Sequence, residues 1–280
     1  MTGFASRYLV CDGHEIHYTE WGARDAPVVI AWHGLARTGR DMDELAAHLA
    51  PRYRVICPDT IGRGLSQWSA APERDYCFEV YGRIAASLAD QLGIAAAHWV
   101  GTSMGGALGL HLAAGRLRGR IRRLVLNDMG PKLGEAALAR IRAYAGSPPE
   151  FDRVSELEQY FRTVYRPYGW LSDEQWRRLT ETSVRRTGAG KVAPHYDPRM
   201  VLQFVHHPQD YEMWALYDSI DMPTLCLRGE SSDLLLPETA EAMRTRGPRA
   251  VVVTVAGCGH APALNVPDQL QLVERFLNGR

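Results

Sequence analysis

Short apolar runs alternate with segments of helical periodicity along most of this chain. The runs "PVVIAWHG" (27–34), "YRVICPD" (53–59) and "AHWVGTS" (97–103) are separated by amphipathic segments. A nearly continuous apolar run of this length is typical of a strand buried on both faces, as in a parallel sheet. The alternation therefore predicts an α/β fold, with a mostly parallel central sheet flanked by helices on both faces.

The alternation is preceded by a predicted antiparallel pair of strands that turns at Asp12-Gly13, and it is interrupted once. Residues 131–217 contain helix-type segments rich in arginine, glutamate and aromatic residues, after which strands and helices alternate again. No repeat or low-complexity linker separates these parts. We therefore predict one core domain, made of residues 1–130 and 218–280, with residues 131–217 inserted as a helical lid.

Charge and cysteine content exclude several classes of protein. The 280 residues include 32 basic and 32 acidic side chains, which gives zero formal net charge, and no basic block occurs. Nothing in this composition favours binding to nucleic acid or to a membrane surface. The five cysteines are odd in number and scattered, which is typical of a reducing compartment. No signal peptide is visible, so we expect a cytoplasmic protein; its oligomeric state is left open.

A serine lies between glycines where a predicted strand meets a predicted helix, in Gly-Thr-Ser-Met-Gly (101–105). A nucleophile on a sharp strand-to-helix turn adopts a rarely populated backbone conformation and projects its hydroxyl outward. The residues two before and two after it crowd the backbone, so they must be small, as Gly101 and Gly105 are. The first amides of the following helix would then stabilise negative charge near Ser103.

This pentapeptide resembles the nucleophile elbow of the α/β-hydrolase superfamily, and further motifs follow in the family's order. "WHGLARTG" (32–39) resembles the family's His-Gly motif, and "PDTIGRGLSQ" (58–67) resembles a signature with a structural role. "LRGESSDLLLP" (227–237) and "VAGCGHAPAL" (255–264) resemble the loops that hold the acid and the histidine.

The resemblance implies a catalytic triad of Ser103, Asp233 and His260. It also implies that the backbone amides of Leu35 and Met104 form an oxyanion hole. No cofactor and no metal is implied, because the adjacent His206 and His207 lack further ligands at metal-type spacing.

A second aspartate competes for the role of the triad acid. Asp128 follows the sixth strand in "LVLNDMG" (124–130), and some members of this fold take their acid from that position. Asp233 lies in the loop where the family more usually places the acid, just before the helix that begins near Pro237. We therefore predict Asp233 and keep Asp128 as the alternative.

The resemblance implies a serine hydrolase that cleaves a small acyl substrate, most simply a carboxylic ester, through an acyl-enzyme. Ser103 counts against dehalogenases and epoxide hydrolases of this fold, because those enzymes use an aspartate nucleophile. Carbon–carbon hydrolases typically carry a tryptophan soon after the histidine, whereas this chain continues with Ala261; a carbon–carbon bond hydrolase on the same triad is kept as an alternative. A lactonase, a thioesterase and a hydroxyalkanoate-oligomer hydrolase are all compatible with the motifs. A non-catalytic small-molecule receptor is the alternative from another class.

Overall fold

The computed structural model describes residues 3–280, in which an eight-stranded sheet forms the centre. The strands are β1 (Phe4–Cys11), β2 (His14–Trp21), β3 (Val28–Trp32), β4 (Arg54–Pro58), β5 (Ala97–Thr102), β6 (Ile121–Asn127), β7 (Val184–Arg186), β8 (Val192–Pro194), β9 (Thr224–Gly229) and β10 (Val251–Val255). The spatial order in the large sheet is β1-β2-β4-β3-β5-β6-β9-β10, and β7 pairs with β8 in a separate ribbon. The β1–β2 pair is antiparallel and the sheet is mostly parallel, as predicted; the β2–β4 pairing is also antiparallel, and the others in the large sheet are parallel.

The helices that connect these strands follow the predicted alternation. They are α1 (Asp43–Leu49), α2 (Pro72–Asp75), α3 (Phe78–Gln91), α4 (Met104–Ala114), α5 (Glu135–Gly146), α6 (Val154–Val164), α7 (Asp173–Glu181), α8 (Gln203–His206), α9 (Trp214–Ser219), α10 (Pro237–Met243) and α11 (Pro267–Leu277). The α/β-hydrolase fold predicted from the motifs is confirmed.

Alternate residues of the central strands enter two different cores, one on each face of the sheet. Ile30 and Trp32 belong to the larger core, which α3 and α4 cover, whereas Val29 and Ala31 belong to the smaller core under α1 and α11. A period of two along a strand sends neighbouring side chains to opposite faces. Because both faces are covered, these strands are apolar throughout.

The segment between β6 and β9 has a small apolar core of its own, which includes Leu157, Phe161 and Trp176. Helices dominate this segment, but the β7–β8 ribbon was not expected from the sequence. Val184 and Val192 favour extended backbone, and Gly190 provides the positive φ of 78° in the turn between the strands. That residues 131–217 act as a movable lid stays a prediction.

All five cysteines are buried and free of disulfides. Among residues 3–280 there is no helix of the length and hydropathy needed to cross a bilayer.

Candidate active site

Ser103 lies at the sharp turn between β5 and α4, in the strained conformation that the sequence predicts. Its φ is 52° and its ψ is −118°, a region that side-chain-bearing residues rarely adopt. A Cβ added to Gly101 would lie 2.2 Å from the carbonyl oxygen of Gly105, and one added to Gly105 would lie 2.3 Å from that of Trp32. The two glycines are therefore required by close backbone contacts at this turn.

The structure brings the hydroxyl of Ser103 to the imidazole of His260. The Ser103 Oγ lies 2.8 Å from His260 Nε2, which is hydrogen-bonding distance. His260 follows β10, and Ser103 follows β5, so both lie beyond the carboxyl ends of parallel strands, where such sheets build their sites. Asn127 stabilises the loop that carries the histidine, because its side-chain amide donates a hydrogen bond to the carbonyl of Pro262 at 2.8 Å.

The acid beside His260 is Asp128, and the prediction that Asp233 takes this place is corrected. His260 Nδ1 lies 2.7 Å from an Asp128 carboxylate oxygen. The same carboxylate accepts hydrogen bonds from the amide of Gly229 and the hydroxyl of Ser232, and its side chain is fully buried. The carboxylate of Asp233 is instead half exposed and pairs with Arg140 of α5 at 2.7 Å.

The apolar neighbours of Asp233 explain this difference. Leu234 and Leu235 follow it directly and both are buried in the larger core. Burying these two side chains fixes the course of the loop after β9, and Asp233 is left on its outer side. Ser232, rather than Asp233, then points to the triad, where its hydroxyl donates to Asp128 at 2.5 Å.

Buried side chains hold the loop after β3 that carries the amide of Leu35. His33 Nδ1 lies 2.6 Å from the carbonyl oxygen of Gly34, and the amide of Thr60 donates to His33 Nε2 at 2.9 Å. Because Nδ1 faces an acceptor and Nε2 faces a donor, the neutral ring carries its proton on Nδ1. Burial lowers the pKa of His33 to about 4. The nearby carbonyl of Leu35 accepts from Nε of the fully buried Arg63 at 3.0 Å.

The amides of Leu35 and Met104 belong to the two segments that border Ser103. Helix α4 begins at Met104, so its first amides have no partner within the helix. Leu35 lies in the wall of the cavity that contains Ser103. The sequence analysis did not identify Arg63 as a supporting residue, although it lies within the "PDTIGRGLSQ" motif. No local sequence pattern indicates that a guanidinium is buried.

A cavity opens over Ser103 and His260, between the sheet and the helical segment. Side chains of α5 and α6 form part of its wall, with Ile141, Tyr144 and Val164 among them. Tyr165 and Tyr168, which the sequence did not single out as a pair, line it as well. Burial raises the pKa of both phenols, so they stay neutral hydrogen-bonding groups at physiological pH. A second cavity adjoins the first at Gly34, Thr102, Tyr168 and Ala261.

Within residues 3–280, no three histidine, cysteine, aspartate or glutamate side chains cluster in a way that could hold a metal ion. His207 contacts a backbone carbonyl, that of Glu73, at 3.1 Å. The arrangement around Ser103 is suited instead to nucleophilic attack assisted by a base, since a hydroxyl, an imidazole and a carboxylate are joined in series.

A family model for the alpha/beta hydrolase fold matches residues 27–265. The chain belongs to the α/β-hydrolase family. The chain is 38% identical to the 3-hydroxybutyrate-oligomer hydrolase of Cupriavidus necator over 95% of its length and 94% of that protein. It is 26% identical to the pimeloyl-[acyl-carrier protein] methyl ester esterase of Xanthomonas campestris, over 90% and 95% of the two chains.

Solved structures of α/β-hydrolases superpose on nearly the entire chain. An α/β-hydrolase from Novosphingobium aromaticivorans has a TM-score of 0.88 at 34% identity, with 99% of both chains covered. The E-2-(acetamidomethylene)succinate hydrolase has a TM-score of 0.86 at 23% identity, with 99% and 100% of the two chains covered, and shows the fold alone. The chain thus has the α/β-hydrolase fold over nearly its entire length.

Proposed function

We propose that this hydrolase cleaves carboxylic esters through an acyl-enzyme on Ser103, and that short linear oligomers of 3-hydroxybutyrate are among its substrates. The observation that carries the proposal is the continuous hydrogen-bonded series from Ser103 through His260 to Asp128, with links of 2.8 and 2.7 Å. The oligomer substrate is supported by the 38% identity to an enzyme named for that activity, over 95% of the chain.

In the first step, Ser103 Oγ attacks the ester carbonyl carbon while its proton passes to His260 Nε2. Asp128 holds the ring with Nδ1 protonated and stabilises the imidazolium that forms. The amides of Leu35 and Met104 donate to the oxyanion of the tetrahedral intermediate. His260 then gives its proton to the departing alkoxide, which leaves as the alcohol, while the acyl group stays esterified to Ser103.

In the second step, His260 takes a proton from a water molecule whose oxygen attacks the acyl carbon. The resulting intermediate collapses with return of the proton to Ser103 Oγ and release of the carboxylic acid. No oxidant, metal or cofactor enters this balance. For an oligomer of a hydroxy acid, the released alcohol is itself a hydroxy acid.

The test measures hydrolysis of p-nitrophenyl butyrate and of the linear 3-hydroxybutyrate trimer by wild-type protein and by Ser103→Ala. We expect turnover of both compounds by the wild type and a loss of about 1,000-fold or more in the variant. A fluorophosphonate should label the wild type once per chain and leave Ser103→Ala unlabelled. Ser219→Ala, which removes a surface hydroxyl, is the matched control. If the wild type shows neither turnover nor labelling, the proposal is refuted and a receptor is favoured.

A further inference from the structure

The guanidinium of Arg37 is buried beside the active site with one nitrogen unused. The side chain is 3% exposed, and its Nε and Nη2 both donate to the carboxylate of Asp41 at 2.7 Å. Nη2 also donates to the hydroxyl of Ser183 at 2.8 Å. Within residues 3–280, Nη1 is buried and has no hydrogen-bond partner. An unsatisfied buried donor is costly, which points to an acceptor that is supplied by a ligand.

Arg37 lines the same cavity as Ser103 and His260. A Cβ placed on Gly34 would lie 3.6 Å from Ser103 Cβ and 3.9 Å from Arg37 Cγ, so the nucleophile and the stem of the arginine flank the same glycine. The guanidinium stacks against aromatic rings of the helical segment, with its carbon 4.7 Å from the ring centre of Tyr165 and 5.4 Å from that of Phe161. These contacts fix the planar group in the wall of the cavity that Ser103 also lines.

The cavity above Ser103 is lined by arginines whose carboxylate partners, Asp41 and Asp233, lie outside its wall. Arg37 and Arg140 are its two arginines, and no aspartate or glutamate lines it. The carboxylate that pairs with Arg37, Asp41, faces the adjoining cavity, where Asp43 and Glu44 pair with Arg40 and Arg178. Burial disfavours the charged form of Arg37, but the attraction of the Asp41 carboxylate outweighs burial and raises the pKa of Arg37. The guanidinium therefore stays charged. An anionic group therefore meets arginines and no carboxylate in the wall above Ser103, whereas three carboxylates line the adjoining cavity.

We propose that Nη1 of Arg37 binds a free carboxylate of the substrate, so that the enzyme selects esters whose alcohol part is itself a hydroxy acid with an unblocked carboxyl end. Arg140, which is half exposed and paired with Asp233, lines the same cavity and offers a second guanidinium to this group. The acyl part would extend into the adjoining cavity, where Leu171 and Leu179 provide apolar surface. The inference rests on the proposed ester hydrolysis at Ser103 and specifies which end of an oligomer is cut.

The first test needs only the wild-type protein and two dimers of 3-hydroxybutyrate. One dimer has a free carboxyl end, and the other carries an isosteric, uncharged primary amide at that end. We expect kcat/KM for the single ester bond to be about tenfold or more higher for the acid than for the amide, because only the acid can form a charge-assisted hydrogen bond with both partners ionised. Equal values for the two dimers would overturn the inference, whereas loss of all ester hydrolysis would instead refute the proposed function.

The second test replaces both members of the ion pair, because a single change would leave a carboxylate without its partner. In Arg37→Met/Asp41→Asn, the ratio of kcat/KM for the acid over the amide should fall to about one, since the charged donor is gone. Arg118→Gln is the matched control, because this exposed arginine lies between α4 and β6 at the opposite end of the sheet. A double variant that keeps the wild-type ratio would contradict the assignment. If the double variant does not fold, Arg140→Gln is measured in its place: its ratio is expected to fall several-fold, and an unchanged ratio would overturn the proposal.

Discussion

His260 Nδ1 lies 2.7 Å from the carboxylate of Asp128, the residue that directly follows β6, and not from Asp233 after β9. Asp128 has a positive φ of 52° and its carboxylate is also bound by the amide of Gly229. The acid is therefore fixed by backbone and side-chain partners from two neighbouring strands. A carboxylate held in this way can keep the imidazole in one orientation and one tautomer.

Asp128→Asn is expected to lower kcat for ester hydrolysis by roughly 1,000- to 10,000-fold, because the amide favours the tautomer of His260 that cannot accept the serine proton. Asp233→Asn is the matched control. It breaks only a half-exposed ion pair with Arg140, so we expect a change in kcat of less than about threefold. Steady-state hydrolysis of p-nitrophenyl butyrate by both variants decides the assignment. The reverse order of effects would restore Asp233 as the acid.

Gly105→Ala should destabilise the protein by about 1–3 kcal/mol, because the added methyl meets backbone that cannot move aside cheaply. Its Cβ would lie 2.3 Å from the carbonyl oxygen of Trp32 and 2.8 Å from that of His33. Urea unfolding gives the free energy directly. Gly188→Ala, where the added Cβ meets no atom within 4 Å, is the control that should stay near wild type. Equal stability of the two variants would contradict the prediction that the backbone around Gly105 leaves no room for a methyl group.

Gly34→Ala is expected to separate activity from stability. The added methyl makes ordinary contacts, 3.6 Å to Ser103 Cβ and 3.9 Å to Arg37 Cγ, so the melting temperature should stay close to that of the wild type. The methyl nevertheless occupies space between the nucleophile and the arginine that a bound ester would need. We expect kcat/KM to fall by about tenfold or more, since small displacements of a reacting group are costly. A variant with wild-type kinetics would mean that substrate does not pass over Gly34.

The sheet and the placement of two site residues could be predicted because local sequence determines them. Apolar strands, the glycines around Ser103 and the loop with His260 each carry a pattern that is complete within about ten residues. The amphipathic segment between the runs "YRVICPD" and "AHWVGTS" contains α3, Phe78–Gln91, for the same reason.

The acid could not be chosen from the sequence because both candidates follow parallel strands. Asp128 and Asp233 come after neighbouring strands, and the choice depends on which way the loop after β9 turns. That turn is set by the burial of Leu234 and Leu235 against residues far along the chain. Arg37 was overlooked for a related reason, since its burial depends on Asp41, Ser183 and the aromatic rings of the helical segment.

The neutral, buried ring of His33 predicts a specific loss of stability in acid. Its pKa falls from the usual 6.5 to about 4 in the folded protein, with burial as the main cause. Between these two pH values the unfolded chain binds a proton that the folded protein does not, so the contribution to the free energy of unfolding is fully present above pH 6.5. It is lost as the pH falls toward 4, by up to about 3 kcal/mol.

Urea unfolding of the wild type and of His33→Gln at several pH values between 4 and 7 isolates this contribution. The partly buried histidines with lowered pKa values, His98, His111 and His195, are present in both proteins and cancel in the difference. The variant is expected to be less stable at pH 7, because its side chain cannot reproduce both hydrogen bonds of the ring, and the gap should narrow as the pH falls. A gap that stays constant from pH 7 to pH 4 would show that the His33 ring takes up its proton equally in the folded and unfolded chains.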